Sequence, residues 1–481
     1  MPCRLGLMVS SSVASFRRSF SASTYRCPVR LLEACNLVAG TTSDDLSQSL
    51  QASLFNARSD PPSPRPSVYV GFDPTAKALH VGNLVSIRAL RAFQRAGFRP
   101  LALIGGATGF IGDPSGKNRD RVLLDGPTIT TNQAGIERCL RRVLDFEASA
   151  DGAIVGAKLV NNMDWYHDMS AFDFVRDIGR HFRVSQMLGR ESVKTRMDSE
   201  AGISFTEFTY QMFQANDFHH LYVHEECVLQ IGGSDQWGNI AAGVDLIRRQ
   251  VGGAFKMKMK QANGLTVPLL TTASGEKLGK SAGNAIWLDP DMTSPFDFYQ
   301  YFMQTTDDDV RRLIPMLAVD LDGLPDSEFS ENRAVTVLEE HARNPGKRKA
   351  QRFLADAMVH WVHGADEMEK ARNATQALFS QRMGGDTDPL QQTLRTALDP
   401  VCVTMADTVD QSIVDLAVLV GAAKSKSACR RLIQSGGLYL NQEKVDNVKQ
   451  ILCAADLVDG EFCLLRVGKK KQIVVKISTG V

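Results

Sequence analysis

His80 and Gly82 stand at the predicted start of a helix, where free backbone N–H groups and the helix dipole favour a bound phosphate. Before them, Val68–Phe72 is apolar and β-branched and predicts a buried parallel strand, while apolar residues at helical spacing predict a helix from about Val81. A second strand is predicted at Pro100–Gly106. Ligands of such a unit bind at the carboxyl ends of the strands, so the pattern predicts a phosphate site there. Taken alone, a His-x-Gly sequence also fits a surface or helix-capping histidine.

Two further segments have the composition of phosphate-binding loops. Gly105–Arg121 is rich in glycine where the second strand ends and then becomes basic. It is not a P-loop, because no glycine stands at the required spacing before Gly116-Lys117 and Asn118 replaces the Ser or Thr that would hold magnesium. Lys277-Leu-Gly-Lys-Ser281 is flanked by small residues, which suits a mobile loop that closes over phosphates, although taken alone it also fits a common surface loop.

A polar stripe runs along the helix predicted from Phe205 to Phe218. Tyr210, Gln214 and Asp217 are four and then three residues apart, so they share one face. The spacing fits either a solvated face or a ligand-binding face and does not decide between them.

The elements around these residues alternate between strands and helices. Further strands are predicted at Ala157–Asn162 and Val228–Ile231, with a helix at Phe174–Phe182, and Leu265–Leu270 leads to the segment Lys277–Ser281. This alternation predicts an α/β fold with a doubly wound, Rossmann-like parallel sheet over residues 68–288.

Five motifs in order resemble those of one enzyme family. Leu79-His-Val-Gly-Asn83 is similar to the HIGH signature of class I aminoacyl-tRNA synthetases, and Lys277–Ser281 is similar to their KMSKS loop. Tyr69–Thr75, Gly112–Gly116 and Gln230–Asn239 resemble the bacterial and mitochondrial tyrosyl-tRNA synthetases in particular. The resemblance extends from about Val68 to the C-terminus.

The resemblance implies a binding role for two sets of residues. Those matching the tyrosine site are Tyr210, Gln214 and Asp113 at the amino group, Tyr69 and Asp217 at the phenolic hydroxyl, and Gln236 at the carboxylate end. Those matching the ATP site are Thr75 and His80 at the γ-phosphate, Lys117, Arg121, Lys277, Lys280 and Ser281 at the pyrophosphate, and Gly71, Asp73, Gly82, Asn83, Gly233 and Asp235 on the nucleotide side. Asn83 stands where the signature often has a second histidine, and Val70 replaces a polar contact of some members.

The implied reaction is adenylation followed by acyl transfer. The tyrosine carboxylate attacks the α-phosphorus of ATP, pyrophosphate leaves, and tyrosine passes to the 3′ end of tRNA(Tyr). Because the nucleophile is already ionised, positioning and charge stabilisation suffice without a general base. ATP is expected as a substrate that brings Mg²⁺ with it, and no protein-bound metal is expected.

The N-terminal residues have the composition of a mitochondrial transit peptide. Up to Arg30 they contain five arginines and no acidic residue, which predicts a transit peptide over residues 1–32 and a location in the mitochondrial matrix. The alternative is a disordered arginine-rich tail. Residues 33–67 are predicted to form an N-terminal segment with a proline-rich linker. The nine cysteines are scattered without a C-x-x-C pair, which predicts reduced thiols.

The C-terminal part has a different pattern. Amphipathic helices over residues 289–382 resemble the family's anticodon-binding domain, although a purely structural bundle also fits. Residues 383–408 are predicted as a linker, and residues 409–481 resemble a small α+β RNA-binding domain. From Gly421 onward the chain carries eleven Lys and Arg against five Asp and Glu, whereas the whole chain has a net charge of +1. This local excess is expected of an RNA contact.

The resemblance predicts a tyrosine–tRNA ligase with tRNA(Tyr), L-tyrosine and ATP as partners, usually a homodimer. No apolar run approaches the length of a membrane span. Three alternatives stay open: a tryptophan-specific relative, a small nucleotidyltransferase, and an RNA-binding or intron-splicing protein. Tyr69 and Asp217 argue against the first and the basic tail against the second. Lys277, Lys280, Asp113 and Gln214 argue against loss of catalysis, but not against an added RNA role.

Overall fold

The computed structural model describes residues 27–59, 64–115, 124–150, 154–199, 202–251, 261–273, 275, 278–281, 284–320, 327–379, 401–404, 411–441, 443–457, 461–468 and 471–478. The chain divides into two compact units. The first unit comprises residues 1–293 and 301–363, and the second comprises residues 294–300 and 364–481. The predicted domain boundaries at residues 288 and 382 stay predictions.

The first unit contains a six-stranded sheet, with its strands in the order β1-β6-β5-β2-β3-β4. Its strands are β1 Gly40–Thr41, β2 Ser67–Phe72, β3 Arg99–Ile104, β4 Lys158–Asn161, β5 Cys227–Gly233 and β6 Asn263–Val267. Strands β2 to β6 are parallel to their neighbours, and β1 pairs antiparallel with β6 at one edge. The predicted Rossmann-like α/β fold is confirmed, with one antiparallel edge strand that the sequence analysis missed.

Helices cover this sheet because its central strands are apolar on both faces. In β2 every residue except Gly71 is buried, and in β3 every residue except Arg99. The helices of this part are α1 Pro28–Ala34, α2 Leu46–Ser59, α3 Leu84–Arg95, α4 Thr108–Ile111, α5 Gly126–Val143, α6 Met163–Tyr166, α7 Ala171–Asp173, α8 Val184–Leu188, α9 Glu191–Met197, α10 Phe205–His224 and α11 Trp237–Val251. Helix α3 packs on β2 and β3, and α10 packs along α11. Burial on two faces is the arrangement expected of a parallel sheet.

Helix α10 begins at a buried ion pair. The Ser204 side chain accepts a hydrogen bond from the Glu207 backbone N–H, which caps the helix. The Glu207 carboxylate lies 2.9 Å from Arg196 of α9, and both side chains are almost fully buried. A buried charge that loses its partner costs several kcal/mol, roughly 3–5. The pair therefore holds the start of the helix that carries the polar stripe.

The N-terminal segment enters the fold earlier than predicted. Helix α1 buries Val29, Leu31 and Leu32, so residues 28–32, which were assigned to the transit peptide, are part of the folded chain. Residues 1–26 lie outside the described residues. The predicted helix at Phe174–Phe182 is instead a short helix, a π turn at Phe174–Ile178 and a 3₁₀ turn at Gly179–His181.

After the sheet, the chain becomes helical, as predicted. The helices are α12 Pro295–Met303, α13 Asp307–Leu313, α14 Glu331–Arg343, α15 Lys349–His363 and α16 Ala365–Phe379. Helix α13 is followed directly by a π turn at Ile314–Ala318. None of the helices in the described residues is both long and apolar enough to span a membrane.

The second unit contains a five-stranded sheet in the order β11-β10-β12-β13-β9. Its elements are β9 Val401–Thr404, α17 Ile413–Leu419, α18 Lys426–Gln434, β10 Leu438–Leu440, β11 Glu443–Lys444, β12 Phe462–Val467 and β13 Lys471–Ser478. Strands β12 and β13 form an antiparallel hairpin. Strand β9 pairs parallel with β13, so residues 401–404 of the predicted linker belong to this sheet. The remaining predicted linker before it, residues 383–400, lies outside the described residues.

Candidate active site

A cavity of about 410 Å³ opens at the carboxyl ends of strands β2, β5 and β6. Its volume is within the ~300–1,000 Å³ range of small-molecule sites. The predicted site residues that line it are Tyr69, Gly71, Asp73, Thr75, His80, Gly82, Asn83, Asp113, Tyr210, Gln214, Asp217, Gly233, Asp235 and Gln236. Tyr210 and Asp217 are buried, so the polar stripe on α10 is a cavity wall and the solvated-face alternative was wrong.

The remaining predicted residues are those assigned to the pyrophosphate: four cations and Ser281. Lys117, Arg121 and Lys277 lie outside the described residues. For Lys280 and Ser281 the structure describes the backbone. It forms the short strand β7, which pairs antiparallel with β8 at Asn284–Ala285. Their roles stay predictions.

Asp217 lies at the closed end of the cavity with only 1% of its surface exposed. Asn162 donates a hydrogen bond to its Oδ2 at 3.0 Å, and the indole N–H of Trp165 donates to its Oδ1 at 3.0 Å. Burial raises the pKa of Asp217 to about 7, although hydrogen bonds from Asn162, Trp165 and Tyr166 oppose the shift. A ligand hydroxyl that donates to this carboxylate would favour its ionised form.

Tyr69 faces the same end of the cavity with a buried hydroxyl. That oxygen has no hydrogen-bond partner among the described residues. Burial, followed by the charge of Asp217, holds the pKa of Tyr69 well above its usual range, so the phenol keeps its proton. An unsatisfied buried hydroxyl costs roughly 1–3 kcal/mol, which a ligand hydroxyl placed here would recover.

Asp73 and Tyr210 connect two regions that the sequence analysis kept apart. The Tyr210 hydroxyl donates to Asp73 Oδ2 at 2.7 Å, and Thr108 Oγ1 donates to Asp73 Oδ1 at 2.7 Å. Burial and the nearby Asp73 and Asp113 raise the pKa of Tyr210 well above its usual range. The sequence analysis assigned Asp73 to the nucleotide side. Asp73 therefore also orients Tyr210, which was assigned to the tyrosine side.

A network of side-chain amides contributes to the lining of the cavity. Gln236 donates to Asp113 Oδ2 at 2.6 Å. The side-chain amide of Asn239, which is buried, donates at 3.1 Å to the side-chain oxygens of both Gln236 and Gln214. These bonds set which end of each amide points toward the cavity.

His80 is held by a reciprocal cap at the start of the 3₁₀ turn Val81–Asn83. Its Nδ1 accepts a hydrogen bond from the Gly82 N–H at 3.0 Å, and its backbone N–H donates to Asn83 Oδ1 at 3.0 Å. A histidine that accepts at Nδ1 carries its proton on Nε2 when neutral. Asn83 therefore helps to shape this turn with its side-chain oxygen.

Gly279, within the predicted lysine loop, lies close to this turn. A Cβ atom added at Gly279 would come within 3.3 Å of the Gly82 nitrogen, and Gly279 has a φ of +92°. Both features require glycine. The Gly279 N–H donates to the Tyr301 hydroxyl at 2.8 Å, and its carbonyl accepts from the Ile286 N–H at 2.7 Å.

Comparison with known proteins identifies the family. Residues 62–380 match the model of the class I tRNA synthetases for tryptophan and tyrosine, and residues 394–475 match the C-terminal domain of tyrosine–tRNA ligases. The chain is 42% identical over 415 residues to the tyrosine–tRNA ligase of Rhodopirellula baltica, covering 85% of this chain and 90% of the relative. The chain belongs to the tyrosine–tRNA ligases.

Organellar members of the family are among the relatives. The chloroplastic/mitochondrial tyrosine–tRNA ligase of Arabidopsis thaliana is 43% identical over 456 residues, covering 94% of this chain and 83% of the relative. The truncated mitochondrial tyrosyl-tRNA synthetase of Aspergillus nidulans superposes with a TM-score of 0.61 at 32% identity, covering 73% of this chain and 94% of that one. The tyrosine-ligase family predicted from the motifs is thereby confirmed.

In this tyrosine–tRNA ligase several residues that contact the site were missed by the sequence analysis. They are Thr108, Asn162, Trp165 and Asn239. Asn239 ends a motif that was recognised, so that motif was the available signal. The others lie 35, 55 and 52 residues from their partners, distances at which spacing carries no information.

Substituting Tyr301→Phe removes only the hydroxyl that holds Gly279. We expect tyrosine activation to lose about three- to tenfold in kcat, the value of one neutral hydrogen bond, with the KM for tyrosine unchanged. Steady-state ATP–pyrophosphate exchange measures both constants. An equal loss in tyrosine binding would contradict a role confined to the lysine segment.

Proposed function

We propose that this tyrosine–tRNA ligase binds tyrosine with its phenolic hydroxyl between Tyr69 and Asp217. The observation that carries the proposal is the unsatisfied buried hydroxyl of Tyr69 beside the buried Asp217 carboxylate. Tyr69 donates a hydrogen bond and Asp217 accepts one, so together they match a phenolic hydroxyl. The indole N–H of tryptophan could donate to Asp217 but could not accept from Tyr69.

The amino group of tyrosine is assigned to the oxygen atoms around Asp113. Tyr210, Gln214 and Asp113 all line the cavity and all offer hydrogen-bond acceptors, which suits an ammonium group. The Gln236 amide donates a hydrogen bond to Asp113. We therefore assign Gln236 to the neighbouring carboxylate end of the substrate. The substrate is thus oriented at both ends before ATP reacts.

Adenylation follows from this orientation. The tyrosine carboxylate attacks the α-phosphorus of ATP, which enters as a substrate with Mg²⁺. Pyrophosphate then leaves toward His80, Thr75 and the segment Lys277–Ser281. Gly71, Gly233 and Asp235 are assigned to the nucleotide. His80 and the lysines stabilise charge that develops on the phosphates, and no side chain moves a proton.

The deciding experiment is ATP–pyrophosphate exchange with each amino acid in turn. We expect exchange with tyrosine alone. Exchange with tryptophan would move the chain to the other branch of its family, and exchange with no amino acid would leave an RNA-binding or splicing role.

The C-terminal part of the second unit, from Gly421 onward, is basic, and we propose that it binds the backbone of tRNA(Tyr). Its helix α18 exposes Arg430 and Arg431, and the charge excess of this region is concentrated beyond Gly421. Phosphate contacts of this kind give affinity that depends on salt.

Ending the chain at Leu390 should therefore lower kcat/KM for tRNA charging about 10²-fold or more, with pyrophosphate exchange within twofold of the full chain. The double substitution Arg430→Glu and Arg431→Glu should reproduce part of this loss without removing the domain. If exchange falls together with charging, the second unit supports the catalytic unit instead.

A homodimer is proposed through an apolar surface on the first unit. Within residues 171–205, Phe172, Val175, Val184 and Phe205 each have more than 60% of their surface exposed. Exposed apolar groups concentrated in one segment indicate a protein interface, and the family usually forms dimers of identical chains.

Substituting Phe205→Asp should shift the protein from dimer to monomer in sedimentation velocity, because it places a charge in the apolar surface. Phe55→Asp is the control, since Phe55 is 69% exposed on α2, outside this segment. A dimer that survives Phe205→Asp would place the interface elsewhere.

We also propose a location in the mitochondrial matrix. The arginine-rich, acid-free composition up to Arg30 and the organellar relatives support it. Import of the full chain into isolated mitochondria, with and without residues 1–26, tests the proposal.

A further inference from the structure

A histidine outside the cavity lining stacks on one of the groups that hold Asp217. The rings of His220 and Trp165 are 4.2 Å apart between centroids and 14° from parallel. The indole N–H of the same Trp165 donates to Asp217 Oδ1 at 3.0 Å. Asp217 and His220 are three residues apart on α10, so one helix supplies both the carboxylate and a flat support for its donor.

We propose that His220 is a positioning residue for tyrosine recognition, because its ring fixes the indole plane of Trp165 and so keeps the indole N–H directed at Asp217. The proposal rests on the proposed function, in which Asp217 accepts the hydrogen bond of the tyrosine hydroxyl. It assigns a role in substrate selection to a residue that has no contact with the cavity.

The charge state of His220 is consistent with a role as a flat support for the indole of Trp165. Burial, followed by the nearby His224 and His219, lowers its pKa to about 4, and Glu225 opposes this shift. The imidazole is therefore neutral at physiological pH and presents a flat face to the indole. The His224 ring lies 4.4 Å away from it, on the more exposed turn of the helix.

The orientation of Trp165 matters because Asp217 is poised between two charge states. Asp217 is surrounded by Tyr69, Tyr166, Tyr210 and Asp73, and among these titratable groups Asp73 raises its pKa. The Trp165 hydrogen bond lowers that pKa. If the indole turns away, the carboxylate loses a donor, its pKa rises, and a smaller fraction is ionised at pH 7. A neutral carboxyl group is a weaker acceptor for a phenol and is less penalised by phenylalanine.

Three variants of the full chain distinguish two roles for His220: a flat support for Trp165, or a side chain that only fills space. His220→Leu removes the ring, His220→Phe keeps a flat ring, and His219→Leu makes the same change at the neighbouring position on α10. Each is measured by kcat/KM for pyrophosphate exchange with tyrosine and with phenylalanine, and by the pH at which the KM for tyrosine changes.

In His220→Leu we expect the tyrosine/phenylalanine ratio to fall about three- to tenfold, the value of one aromatic stack, mainly through the KM for tyrosine. The inflection of that KM should move to higher pH. His220→Phe and His219→Leu should stay within twofold of the wild type in the ratio. If His220→Leu does not fold, as judged by its thermal unfolding, His220→Gln replaces it in the same comparison.

An unchanged ratio and inflection in folded His220→Leu would overturn the proposal. An equal fall in His220→Phe or His219→Leu would also overturn it, because packing alone would then explain the effect. Failure of the proposed function is distinguishable, since the wild-type enzyme would then fail to prefer tyrosine before any substitution is made.

Discussion

Substituting Asp217→Ala will remove about 10²-fold or more of the preference for tyrosine over phenylalanine in kcat/KM, measured by pyrophosphate exchange. Asp217 is buried, and its carboxylate is the acceptor assigned to the substrate hydroxyl. A hydrogen bond to a charged group contributes roughly 1.5–3 kcal/mol. Sites that hydrogen-bond a buried substrate hydroxyl reject the analogue without that hydroxyl by about 10⁴–10⁵-fold. Tyrosyl-tRNA synthetases are themselves the standard example of this magnitude.

A substitution at Tyr69 and the pH dependence of the KM for tyrosine provide the controls for this result. Tyr69→Phe should reduce the same ratio by a smaller factor, because it removes a neutral partner. Since burial raises the pKa of Asp217 to about 7, above the usual value for aspartate, the carboxylate ionises as the pH rises through neutrality. The KM for tyrosine should therefore fall from pH 6 to pH 8 in the wild type and stay level in Asp217→Asn. An unchanged ratio in Asp217→Ala would mean that the hydroxyl is read elsewhere.

Substituting Lys280→Ala should lower kcat for pyrophosphate exchange about 10²–10³-fold, the usual cost of one group that stabilises transition-state charge. The affinity for tyrosine, measured by equilibrium dialysis, should change less than twofold. The physical reason is that the ammonium group acts on phosphate charge that develops during the reaction. The backbone supports this placement, because Lys280 follows Gly279, which lies against Gly82 of the His80 turn.

Lys349→Ala is the matched control for this prediction. Lys349 is a partly exposed lysine that pairs with Glu340 on the helical part of the first unit, so its removal should leave kcat unchanged. Equal losses of exchange rate and tyrosine affinity in Lys280→Ala would contradict the division between the phosphate end and the tyrosine end.

Local patterns in the sequence predicted much of this enzyme. The strand at β2, the turn at His80 and the helix α3 follow from apolar spacing and glycine placement, since these effects act over a few residues. The same patterns did not predict β1 or β9, which are short strands stabilised by pairing with β6 and β13. A strand of this kind has no strong signal of its own, because its hydrogen bonds come from a distant part of the chain.

The sequence by itself determined the family, the reaction and many of the residues that line the cavity, because motifs place those residue types at fixed local spacing. Only the tertiary structure decided which face of α10 is buried, how Thr108 and Tyr210 share Asp73, and how Trp165 reaches Asp217 across 52 positions of sequence. Such contacts join elements that meet through packing of the sheet and its helices. Their energy depends on burial and geometry in three dimensions, which neither residue type nor spacing records.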